Sequence, residues 1–326
     1  MTPKKVGRGF LLWICLSIAA QCANAAPSQS TTWQQWLAAT EQEAVSAGVS
    51  SAVANTALNG LTPDERVLGY DKTQPESRLS YKQYRQSRGD DARVRMGVNE
   101  YRRNAPLLNR VARTYGVSPC VMVSLWGMET SYGHYVGSFP VIRSLATLAF
   151  YSDRSDYFHE QLIDALQVLN GGHIDNAHYV GEWAGASGQP QFMPASFQKY
   201  AVDYDGDGRK NIWTSLPDVF ASIANYLVQY GWQANAPWGY EVNVPAQLGL
   251  KMGENNWYPV STWQSAGVTL TNGQSIPDSL DEAVLIMPDG GPGLLAFHNF
   301  FVLKEYNNST YYAGTVSHMA NAICQE

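Results

Sequence analysis

Basic side chains are too few in this chain to hold a nucleic acid. There are 22 Lys and Arg against 28 Asp and Glu, a net charge of -6. A nucleic-acid binder needs a basic excess to displace counterions from phosphates, so that class is excluded as the main partner. Histidine, at six, and cysteine, at four, are equally sparse, which speaks against a zinc site. No apolar run reaches the roughly 20 residues that a membrane-spanning helix needs. No internal repeat or low-complexity tract breaks the chain.

The run from Phe10 to Ala20 is instead the apolar core of a secretory signal. Lys4, Lys5 and Arg8 precede it, and Ala23-Asn24-Ala25 follows as a cleavage site, so residues 1–25 are expected to be removed. Cys22 follows Gln21, a poor context for lipid attachment, so the mature protein is expected to be soluble and exported, with the periplasm as its compartment. Cleavage removes three positive charges and no negative ones, leaving -9. Cys15 and Cys22 leave with the signal. Cys120 and Cys324 remain, either paired, as an oxidising compartment permits, or as two separate buried thiols.

With 326 residues the chain is long enough for two or three packed units around a sizeable core. After a loose linker at 26–31, residues 32–231 read as mostly helical. The spacing predicts helices opening at Trp33-Gln34-Gln35-Trp36-Leu37 and over 45–57, 104–115, 144–149, 157–169, 195–202 and 219–230, several closed by glycine. Residues 79–91 are polar. From Trp232 to Asn307 short extended runs (240–244, 267–270, 283–287 and 300–305) alternate with Gly, Pro and Asn, which reads as a small β-rich unit. Residues 308–326 return to helix and are expected to pack on the helical core. The fold class is α+β, mainly α.

The stretch Ser118 to Gly133 is the most informative. Ser118 stands where an N-cap belongs and Pro119 at the first helical position. The helix they start is apolar almost all round, which marks it as buried. It carries one acid, Glu129, on the same face as Val121, Leu125 and Trp126. A carboxylate buried there is relieved by protonation, so its pKa is expected to rise, as a general acid requires. A structural Glu bonded to a neighbouring helix is the plainer alternative.

A second motif is Asp203-Tyr204-Asp205-Gly206-Asp207-Gly208-Arg209-Lys210-Asn211. Oxygen ligands fall at the EF-hand spacing, and Gly208 sits at the sixth position, where the loop turns most sharply. Thr214 replaces the usual closing Glu, and Asp218 is placed to close a longer loop over 203–218. The candidate metal set is Asp203, Asp205, Asp207, Arg209 and Asp218, with calcium in a structural role. A solvated Asp-Gly turn is the plainer reading of the same residues.

Taken together, several motifs resemble the B-type lytic murein transglycosylases, glycoside hydrolase family 103, and most closely their soluble exported members. They are Trp126-Gly127-Met128-Glu129-Thr130, Ala184-Gly185-Ala186, Gln191-Phe192-Met193-Pro194, Tyr200-Ala201-Val202-Asp203, Gly206-Asp207-Gly208, Ala224-Asn225-Tyr226 and Tyr306-Asn307-Asn308-Ser309. Their order and spacing agree with the family from about Trp33 to Ile323.

The resemblance implies a lysozyme-like helical core with an added helical region, a small β unit and an EF-hand-like loop. It implies cleavage of peptidoglycan glycan strands between N-acetylmuramic acid and N-acetylglucosamine, leaving 1,6-anhydro ends. Glu129 is carried over as the catalytic acid and base. Gln191, Tyr226, Asn307, Arg154, Glu182 and Tyr84 are carried over as cleft residues. The chain departs from the family twice. Glu182 replaces a small hydroxyl residue, which puts a second carboxylate on the cleft loop and keeps a hydrolytic muramidase in view. Pro217 takes the place of the last loop Asp, with Asp218 one residue later. A non-catalytic glycan-binding protein and a calcium-binding scaffold also compete with the lytic enzyme. Cell-wall synthesis proteins as partners are left open.

Overall fold

Capping chemistry divides the first helices. In this computed structural model, which describes residues 32–72, 79–277 and 282–325, Thr32 and Gln35 form a reciprocal capping box at the start of α1 (Trp33–Ser46). The helix expected over 45–57 is two. Gly48, at φ +96°, turns the chain out of α1, and Ser50 caps α2 (Ser51–Leu58). After α3 (Glu65–Lys72) and the short α4 (Tyr81–Arg88) comes α5 (Asp91–Tyr115). It is twice the length that its apolar spacing predicts. Asp90 accepts from the Arg93 amide at 2.8 Å and starts it early, and the polar first half hid it. Gly116 ends it in a left-handed conformation. The signal sequence and linker lie outside the described residues.

α6 (Pro119–Thr130) runs through the middle of the molecule, buried from Cys120 to Gly127. Pro119 begins it, but the Ser118 hydroxyl makes no capping bond. Its end is strained: Ser131 and Tyr132 both take left-handed φ, at 48° and 63°. For residues with a Cβ each costs on the order of 1 kcal/mol or more. The turn is held by Tyr132, whose hydroxyl donates to Arg93 O at 2.7 Å. A Cβ on Gly127 would lie within 2.7 Å of the Tyr132 ring and hydroxyl, so a larger residue there would push the turn away.

A two-stranded ribbon of β1 (Phe139–Pro140) and β2 (Val180–Gly181) brackets the helical pair α7 (Val141–Tyr151) and α8 (Ser155–Asn170). Next come α9 (Pro194–Tyr200) and α10 (Leu216–Gln229). The β-rich unit holds β3 (Gly239–Asn243), β4 (Tyr258–Pro259), α11 (Val260–Ser265), β5 (Thr269–Leu270), β6 (Glu282–Ile286) and β7 (Gly293–Ala296). Its strands form one antiparallel sheet in the order β4-β6-β7-β3-β5.

Alternation along the sheet builds two cores. Ala283, Leu285 and Leu295 point into a small core around the fully buried Trp263. Val284, Leu294 and Ala296 point the other way, into the main helical core. The run 300–305, expected to be extended, is helical: α12 (His298–Tyr306). Its apolar residues are β-formers by composition, but Phe300 and Leu303 lie three apart on one face of a helix, both buried in the main core. Tertiary packing overrides the local preference.

The last helix, α13 (Thr310–Gln325), lies against α6. The Ser124 hydroxyl donates to Val316 O at 2.9 Å, and Cys120 and Cys324 are joined in a disulfide. Of the two states that the sequence leaves open for these cysteines, the structure has the paired one.

Candidate active site

Glu129 lies in the last turn of α6, two residues before the strained exit at Ser131. It keeps partial solvent access, as an acid that must meet a substrate requires. Even so, protein surrounds its carboxylate closely enough that burial pushes the pKa up to about 7, against a smaller opposing effect from the Tyr312 hydroxyl. Tyr312, on the first turn of α13, donates that hydroxyl directly to Glu129 Oε1. Burial, and then the Glu129 charge, hold Tyr312 and Tyr306 well above the usual phenol range. Both remain donors at any physiological pH. Tyr84 is also raised, mainly by burial and in part by the Glu129 charge. It lies against the Tyr311 ring, 6.1 Å between centroids. Glu129 is thus an acid poised near neutrality in a wall of phenols.

The Gly-rich loop after β2 forms the other side. Gln189, buried, ties it to α6: its Oε1 accepts from Trp126 Nε1 at 2.7 Å and its carbonyl from Thr130 Oγ1 at 3.1 Å. Its Nε2 donates to Trp213 O at 2.9 Å. Gln191 follows with a left-handed φ of 53°, its side chain donating to Gly188 O at 2.8 Å. Tyr306 reaches across from α12 and donates to Pro190 O at 2.7 Å. Tyr226, from α10, packs on Tyr306 at 4.7 Å between ring centroids and donates to Glu305 O at 2.6 Å. It is almost wholly buried. Asn307, at the end of α12, is exposed.

Two of the expected residues make their contacts elsewhere. Arg154, at the start of α8, is half exposed, pairs with Asp71 at 3.3 Å and lies over the Phe158 ring. Glu182 is exposed. It is not among the causes of the shift at Glu129, which are burial and Tyr312 alone.

Sequence reasoning missed Tyr312 and Gln189. Tyr312 lies 183 residues from Glu129, and no local pattern links the two. Gln189 sits inside the Gly-rich loop, where its side chain reads as one more polar loop residue.

In the acidic loop, oxygens of Asp203, Asp205 and Asp218 lie within 4.8 Å of one another. Asp207 stands outside this group and accepts from the Arg209 amide at 2.8 Å. Asp203 is oriented by the amides of Gly206 and Gly208, at 2.8 and 2.9 Å. Asp218, fully buried at the first turn of α10, accepts from the amides of Tyr204 and Asn211 at 2.8 and 2.7 Å. Three converging carboxylates, one of them buried, repel each other in the absence of a cation. The donor set is all oxygen, which suits calcium.

The sequence matches the Transglycosylase SLT domain across residues 32–321. It is 34% identical over 234 residues to membrane-bound lytic murein transglycosylase B of Escherichia coli (strain K12); the match covers 71% of this chain and 63% of that longer protein. Among solved structures it is similar to SltB3 from Pseudomonas aeruginosa in complex with NAG-anhNAM-pentapeptide, with a TM-score of 0.85 and 39% identity, covering 90% of this chain and 80% of that one. It is also similar to the Escherichia coli lytic transglycosylase Slt35 in complex with calcium, with a TM-score of 0.75 and 29% identity, covering 89% of this chain and 92% of that one. The chain therefore belongs to the lytic transglycosylase B family, with the fold of that family and its transglycosylase domain running almost from end to end of the described residues.

Proposed function

We propose that this protein is an exported, periplasmic enzyme that cleaves the β-1,4 bond between N-acetylmuramic acid and N-acetylglucosamine in peptidoglycan without water. The observation that carries this reading is a single carboxyl, Glu129, raised to about 7 by burial with no other carboxylate contributing. Glycoside hydrolysis usually works with two carboxyl groups. One acid suffices when the substrate supplies the nucleophile.

Protonated Glu129 gives its proton to the glycosidic oxygen as the C1–O bond breaks. The 2-acetamido group of the muramic acid stabilises the positive charge left at C1. Glu129, now ionised, takes the proton of the C6 hydroxyl as that oxygen bonds to C1. The 1,6-anhydro ring closes and Glu129 is again protonated. The C6 hydroxyl is already bound, so it outcompetes water entropically. Tyr312 holds the carboxyl in place and stabilises its ionised form midway. Tyr84, Gln191, Tyr226 and Asn307 shape the cleft, with Arg154 and Glu182 at its edges.

SltB3 was solved with a NAG-anhNAM-pentapeptide, a fragment of the kind this reaction yields. Calcium, seen with Slt35, is assigned here to Asp203, Asp205 and Asp218, with Asp207 and Arg209 completing the loop. Its role is structural, because these residues fasten the start of α10 rather than face Glu129.

Product analysis tests the reading. Purified peptidoglycan is digested, reduced with borohydride and analysed by mass spectrometry. The expected muropeptides are one water lighter than hydrolysed ones and resist reduction. A digest dominated by reducible ends would replace this reading with a muramidase.

A further inference from the structure

The short helix α4 carries Tyr84 to the cleft, yet it has little to hold itself together. It is eight residues long, with one buried side chain, Tyr81, and helices of that length are unstable alone. What fixes it comes from the β-rich unit and α13. Tyr81 is fully buried in a slot walled by Gly291 and Gly314. A Cβ on Gly291 would come within 2.3 Å of its ring, and one on Gly314 within 2.8 Å of its hydroxyl. Its amide donates to Asp289 O at 2.8 Å.

The second fastening is ionic and centres on Glu241 of β3, whose side chain is only 13% exposed. Arg85 of α4 donates to both its oxygens, at 2.7 and 3.0 Å, and Tyr81 donates its hydroxyl at 3.2 Å. His318 of α13 places Nδ1 at 3.4 Å from Glu241 and 3.2 Å from Arg85. Burial alone would raise the Glu241 pKa, but His318, Arg85 and Tyr81 outweigh it and hold it below the usual carboxylate range. Glu241 is therefore a charged knot where α4, α13 and the sheet meet. One residue away from Arg85 is Tyr84. Its ring packs on Tyr311, the neighbour of Tyr312, which bonds Glu129.

We propose that Glu241 is a positioning residue for the cleavage reaction: by clamping Arg85 and Tyr81 of α4 against His318 of α13, it sets Tyr84 beside Glu129. The β-rich unit thereby holds one wall of the active cleft. This inference rests on the assignment of Glu129 and Tyr84 to the reaction. A shift of the wall by about 1 Å is enough to cost up to a hundredfold in rate.

The test is a double-mutant cycle in the full chain. Glu241→Gln and Arg85→Gln are each made alone and combined with Tyr84→Ala. Melting temperature, kcat and KM on glycan strands are measured for each. Expected is a fall in kcat of about tenfold or more for Glu241→Gln, and a smaller one for Arg85→Gln, larger than any change in KM. On the Tyr84→Ala background both substitutions should lose their effect, because the group they position is gone. A general loss of structure would instead add to the Tyr84→Ala defect. If Glu241→Gln fails to fold, Arg85→Gln, which removes the clamp from the more exposed side, carries the cycle alone. Full activity in the single variants, or costs that add on the Tyr84→Ala background, would overturn the inference. Glu129→Gln serves as the control for the underlying assignment. If it is inactive while the clamp variants are fully active, only the clamp is wrong. If it is active, the site itself is wrong.

Discussion

Tyr312 donates its hydroxyl to the carboxyl of Glu129, while Cys120 and Cys324, at the far ends of the same two helices, are covalently joined. α6 and α13 run antiparallel, so one helix pair is fastened by a disulfide at one end and by the Tyr312–Glu129 hydrogen bond at the other. Ser124 and Val316 bond midway. Glu129 and Tyr312 thus sit on a braced frame, not on loops.

Tyr312→Phe should lower kcat by about tenfold, as expected for loss of a group that orients a catalytic acid. It should also move the alkaline limb of the pH–rate profile upward. The hydroxyl favours the ionised form and lowers the pKa of Glu129, so its removal leaves the acid protonated to higher pH. An unmoved limb would mean that the bond does not form in solution.

Ionisation of Glu129 should cost stability. Its pKa rises from an ordinary 4.5 to about 7 on folding, so the folded state holds more protons than the unfolded one in between. The stabilisation is complete below pH 4.5 and is lost as pH rises through 7, by roughly 2–3 kcal/mol after allowance for its partial exposure. Glu129→Gln cannot ionise. Its melting temperature, relative to that of the parent, should therefore rise between pH 5 and pH 8, while wall cleavage is abolished at every pH.

Calcium at millimolar concentration should raise the melting temperature, and a chelator should lower it. Asp218→Asn should remove most of that response, since Asp218 is the buried member of the cluster. Equal melting with and without calcium in the parent protein would count against the site.

Replacing both Cys120 and Cys324 by Ser should destabilise the protein by roughly 5 kcal/mol, because the bond closes a loop of 204 residues. Denaturant unfolding of the variant against the oxidised parent measures it. A midpoint unchanged within error would show that the bond is absent from the protein in solution.

Glu182→Ser should leave the pH profile of cleavage unchanged, since Glu182 is exposed and exerts no resolved influence on Glu129. A displaced acid limb in the variant would restore it to the catalytic group.

What the sequence determined by itself was local. The apolar helix with one acid, the Asp-Gly loop and the glycine stops are short-range patterns, and each depends on neighbours within a few residues. They were enough to point to the family and to name Glu129 as the candidate acid. Boundaries failed where tertiary contacts overrode propensity: the polar half of α5 is helical, and 300–305 became α12 because Phe300 and Leu303 bury into the main core. The surroundings of Glu129 were decided by the tertiary structure. Its hydrogen-bond partner Tyr312 arrives from the last helix, and Gln189, from a loop, is tied to Trp126 of the same helix as Glu129. So was the pairing of Cys120 with Cys324. Residues so far apart meet through the packing of whole elements, and the burial that raises the pKa of Glu129 exists only once those elements have closed around it.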